Sequence, residues 1–63
     1  MGETGALLSS LATSLDELTE RVTDIADRYK GTAQEDVAHD LFEVERALRT
    51  AGRKLESVVR RLR

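Results

Sequence analysis

"YKGTAQEDV", residues 29–37, lies at the middle of a 63-residue chain. It holds the only glycine between Gly5 and Gly52, followed at once by a threonine and, three residues later, by a glutamate. Gly31 falls where a helix ending at Lys30 would need a left-handed residue without Cβ. Lys30 suits the negative end of a helix dipole. Thr32 and Glu35 form T-x-x-E, the capping-box pattern that opens a helix. Stop and start signals are therefore adjacent, and a connection this short makes the two helices antiparallel neighbours.

The flanks agree. Leu8, Leu11, Leu15, Leu18, Val22, Ile25 and Tyr29 alternate spacings of three and four. So do Val37, Leu41, Val44, Leu48, Ala51, Leu55, Val58 and Leu62. Both are a/d heptad stripes, and neither half alternates as a strand would. The expectation is one all-α domain over residues 1–63: an antiparallel coiled-coil hairpin with helix 1 at about 5–30, a turn at 31–32 and helix 2 at about 33–62. The expected hairpin seam is made of a and d, with layers running from Tyr29–Val37 at the turn through Leu18–Leu48 to Leu8–Val58. The register of all these layers centres on Gly31–Thr32. Arg28 and Asp40 fall opposite each other and are placed to form an ion pair.

A chain of 63 residues buries only about 60% of its unfolded surface, so it gains from a staple or a partner. Cysteine is absent, which removes disulfides, thiolate metal sites and thiol redox chemistry, and fits a cytoplasmic setting. Proline is absent too, aromatics are limited to Tyr29 and Phe42, and charged residues make up 35%. That composition suits long helices. The start, "MGETGALLSS", has neither the basic n-region of a signal peptide nor the Ser or Thr at position 6 of a myristoylation signal. No apolar run reaches membrane-span length. Arginine far outnumbers lysine, an association with GC-rich bacterial genomes.

The e positions hold Ala12, Thr19 and Ala26 in the first half and Ala38, Glu45, Gly52 and Val59 in the second. Small residues let another helix come close. Gly52 in mid-helix costs roughly 1 kcal/mol against alanine, and close packing would give it a purpose. The expected partner interface is therefore Ala12, Ala26, Ala38, Phe42, Gly52 and Val59, most simply joining two copies into a dimeric four-helix bundle, or else holding a partner helix.

Charge is segregated. Residues 32–45 carry Glu35, Asp36, Asp40, Glu43 and Glu45 without a lysine or arginine, whereas residues 46–63 are strongly basic. Arg46, Arg53 and Arg60 share heptad position f, and Arg49 and Arg63 share b. This stripe could meet an acidic partner protein or a polyanion such as nucleic acid. It also complements the helix dipole, and Glu45–Arg49 and Glu56–Arg60 are ordinary i,i+4 pairs. No aromatics interleave the arginines, so nucleic acid is the less favoured partner.

Enzyme chemistry has no support. Asp36-x-x-His39 with Glu43 echoes a fragment of helical-bundle metal sites, but those project into a bundle core and these face outward. No phosphate-binding glycine loop and no nucleophile–base set is present. No cofactor is expected. In outline, two heptad helices about a glycine turn resemble the WXG-type helical hairpins of actinobacteria. The turn here reads Tyr29-Lys30-Gly31-Thr32, without tryptophan, and the chain is shorter, so membership does not follow. The expected function is a non-catalytic helical interaction module: an adaptor, regulatory or assembly subunit.

Overall fold

The computed structural model describes residues 2–62. They form two α-helices, α1 (Gly2–Tyr29) and α2 (Glu35–Arg61), which pack against each other, and no strand occurs among the described residues. The Cα trace spans 50 × 14 × 9 Å, a flat two-helix slab. Each helix is about 40 Å long at 1.5 Å per residue. Acid-first, base-last charge placement favours both: Glu3 and Arg28 in α1, then Glu35, Asp36, Arg60 and Arg61 in α2.

The connection runs over residues 30–34 and is longer than the two-residue turn expected from Gly31 and Thr32. Gly31 adopts φ +76°, the left-handed conformation that ends α1. The expected capping box does not form. The N-cap of α2 is Gln34, and no side chain caps it. Thr32 is occupied with the other helix: its hydroxyl donates to the Tyr29 carbonyl, and its amide reaches the same oxygen at 3.2 Å. The Thr32 hydroxyl also accepts from the Gln34 amide at 3.1 Å, a local side-chain turn. Held in this place by the last turn of α1, the hydroxyl accepts from the Gln34 amide and not from that of Glu35. Helix 2 therefore begins two residues later than expected, with the Val37 amide bonded to the Gln34 carbonyl at 2.9 Å.

The seam between the helices also differs from the expected a/d arrangement. Its buried residues are Ala12, Thr19 and Ala26 on α1 and Ala38, Gly52 and Val59 on α2, all at position e. The a residues Leu8, Leu15, Val22, Leu41, Leu48 and Leu55 are half-buried beside them. Leu11, Leu18, Ile25 and Val44, at d, are exposed. The physical reason is size. A row of Ala, Thr and Gly lets two backbones approach where a Leu row would hold them apart. Two helices alone cannot enclose both a and d.

Candidate interaction surface

Going round either helix, e lies between a and b, and d lies beyond a. With e on the seam of an antiparallel pair, both a rows and both d rows come to one broad side of the slab. Both b and f rows come to the other. The two sides are chemically different.

The b/f side is polar. Ser9, Ala12, Thr13 and Asp16 line a groove with Glu56, Val59 and Arg60, and Lys30, Glu35, Ala38 and His39 line another with half-buried Phe42. Its best-organised feature is Glu45, the one acid in the e row. Thr23 Oγ1 of α1 donates to Glu45 Oε2 at 2.8 Å, and Arg49 Nε and Nη2 donate to the same oxygen at 3.1 and 2.9 Å. The Thr19 carbonyl also lies 3.1 Å from the Thr23 hydroxyl, but the ionised carboxylate is the stronger acceptor. The Thr23 hydrogen bond, then the Arg49 hydrogen bonds and nearby positive charge, hold the Glu45 pKa below its usual value, against a smaller opposing effect of burial. Its side chain keeps 16% exposure, so water still reaches it. This cluster is how a long acid fits an otherwise small-residue seam: the chain bends out to the polar side, where a threonine meets it.

The a/d side is apolar. Leu7 is 61% exposed, Leu11 57%, Leu18 49%, Ile25 43% and Val44 44%. Ala47 and Ala51 of α2 are exposed between the charged residues of that helix. No large side chain is fully buried anywhere among the described residues; the core is Ala12, Ala26, Ala38 and Val59.

The residues expected to form the partner interface are thus divided. Ala12, Ala26, Ala38, Gly52 and Val59 are buried between the chain's own helices, so they offer no open flank. Phe42 is half-buried on the polar side. Gly52 is not demanded by close approach either: a Cβ there would lie 3.7 Å from Leu15 Cδ2 and 3.9 Å from Asp16 Oδ1, ordinary contact distances.

Arg46, Arg49, Arg53 and Arg60 are exposed, and Arg63 lies outside the described residues. Of the two i,i+4 pairs expected on α2, Glu45–Arg49 closes at 2.9 Å; Glu56–Arg60 is not within ion-pair distance. Arg28 and Asp40 do not pair within the chain, because their g positions turn away from an e-centred seam. Among the described residues no three His, Asp or Glu side chains come together as metal ligands, and neither helix is long and apolar enough to cross a membrane.

The a/d stripe by itself does not distinguish an intrachain seam from an outward d row. No protein-family model matches this chain, and neither does any curated protein or solved structure in the comparisons made.

Proposed function

We propose that this chain is a non-catalytic helical interaction module whose a/d side is its docking face. The observation that carries the reading is the row of half-exposed Leu11, Leu18 and Ile25, continued by Leu7 and Val44, along one side of the slab. Large apolar patches on small soluble proteins mark contact surfaces. Covering each of these side chains would contribute roughly 1 kcal/mol. The thin small-residue core gives the hairpin a reason to need that gain. The complement that fits is a second apolar helical face, so the natural product is a four-helix bundle with a and d as its shared core. Adaptor, regulatory and assembly roles are all forms of such docking.

Sedimentation equilibrium of the wild type, Leu18→Glu and Phe42→Ala tests the face. Wild type and Phe42→Ala should sediment well above the 7.0 kDa monomer, and Leu18→Glu should be monomeric while remaining helical by circular dichroism. A folded wild-type monomer at hundreds of micromolar, or a Leu18→Glu variant that associates like the wild type, would refute the proposal.

A second reading rests on the exposed arginines. Arg46, Arg53 and Arg60 have no acidic partner within ion-pair distance among the described residues, and so remain open to a polyanion. Their triple replacement by Glu should abolish salt-sensitive binding to heparin or a DNA duplex. Absence of such binding in the wild type eliminates this reading.

A further inference from the structure

Resting on the docking reading above, we infer that the occupant of the a/d face is a second copy of this chain, set with the two turns at the same end of the bundle. In this arrangement α1 of each copy lies antiparallel along the partner's α2, related by a two-fold axis parallel to the helices.

Three features of the chain point there. The first is shape. The exposed d residues of α1 are large (Leu11, Leu18, Ile25), while the d row of α2 is made of the smaller Val37, Val44, Ala51 and Val58, with Ala47 beside it at g. Each face therefore carries a ridge beside a trough. A rotation about the long axis lays the ridge of one copy into the trough of the other, so that large residues meet small ones. The opposite arrangement, with turns at opposite ends, sets α1 on the partner's α1, so that the large d row of one copy meets the large d row of the other.

The second is charge. Position g borders the d row. At the turn end it is basic on α1, at Arg21 and Arg28, and acidic on α2, at Asp40, with Glu43 one helical turn further on. A two-fold axis along the helices preserves levels, so Arg28 comes level with the partner's Asp40, and Lys54 lies within a turn of the partner's Glu17. Arg28 and Asp40 stand opposed in register, as the sequence suggests, yet do not meet within one chain. Between copies, both find an oppositely charged neighbour. At position g no like charges come level; at c, further from the contact, Asp24 comes level with the partner's Glu43.

The third is area. The broad side of the slab measures 50 by 14 Å between Cα atoms, about 700 Å² in plan, close to the ~800 Å² per partner of a stable protein interface. The broad side is long enough to seat a second copy along its whole length.

The test is a spin label at residue 33, introduced as Ala33→Cys in the exposed turn of a chain that has no other cysteine. Double electron–electron resonance then reads the distance between the two turns. With turns at the same end the labels should lie within about 30 Å, since neighbouring helices pack 8–10 Å apart. With turns at opposite ends the separation should be about 40 Å or more, the length of a helix. A short distance that disappears with Leu18→Glu supports the inference. A long distance overturns it while leaving the docking reading standing. A wild-type monomer at labelling concentration overturns the second copy as the occupant. As a charge check, Arg28→Glu should weaken the dimer several-fold and the double variant Arg28→Glu/Asp40→Arg should recover it; failure of the double variant to recover would remove the pairing on which the orientation rests.

Discussion

Replacing Gly52 by alanine should make the protein more stable. Glycine in a helix interior is about 0.8–1.0 kcal/mol worse than alanine, because the unfolded chain loses more freedom. In a tight seam that gain could be cancelled by a clash. Here it is not: the new Cβ would stand 3.7 Å from Leu15 Cδ2 and 3.9 Å from Asp16 Oδ1, with nothing nearer beyond its own helix's backbone. The methyl enters a buried site at contact distance, adding a smaller favourable term for the apolar surface it covers. The net expectation is a gain of about 1 kcal/mol, or a rise in melting temperature of about 4–8 °C for a domain this small. Urea unfolding followed at 222 nm measures it, at one fixed protein concentration so that association does not confound the comparison. Gly52→Leu should do the opposite, because a side chain longer by three carbons must run into Leu15; overpacking of this kind costs about 1–3 kcal/mol. A destabilised Gly52→Ala variant would contradict this expectation. It would mean that the helices approach more closely at this layer than the described distances allow.

Two further predictions follow from the turn and the seam. Gly31→Val should lower stability by about 1–2 kcal/mol, since Gly31 sits at φ +76° where a β-branched side chain is strained, and should raise the fraction of extended, domain-swapped species seen by size-exclusion chromatography. The lowered Glu45 pKa makes its contribution fully present above the usual carboxylate value of 4.5 and lost as pH falls through the lower folded value. Melting temperature should thus hold down to about pH 5 and drop on further acidification, and Glu45→Gln should flatten that drop.

Much of the fold is legible in the sequence because its signals are local. Two uninterrupted 3–4 stripes imply two helices, and a lone glycine between them implies the reversal; Gly31 takes the left-handed conformation its place requires. The start of α2 is less legible. Thr32 has the right partner at the right spacing for a capping box, but the folded turn holds its hydroxyl on the Tyr29 carbonyl, where it accepts from Gln34 and not from Glu35. The choice of seam is the largest difference. Periodicity says which residues avoid water; it does not say whether they avoid it within one chain or between two. The small residues at e were visible as a surface for close approach, and that property is what the hairpin uses on itself. The Thr23–Glu45 bond joins residues 22 apart in sequence across the two helices, so no local pattern could announce it.

The e-centred seam and the outward a/d face differ most directly in which methyl groups face the chain's own second helix and which face outward. Isotope-filtered nuclear Overhauser spectra on a sample mixed from labelled and unlabelled protein separate contacts within a copy from contacts between copies. The methyls of Ala12 and Ala26 should contact only their own chain, and those of Leu18 and Ile25 the other copy. Contacts between copies at Ala12 and Ala26, with Leu18 and Ile25 confined to their own chain, would contradict this arrangement.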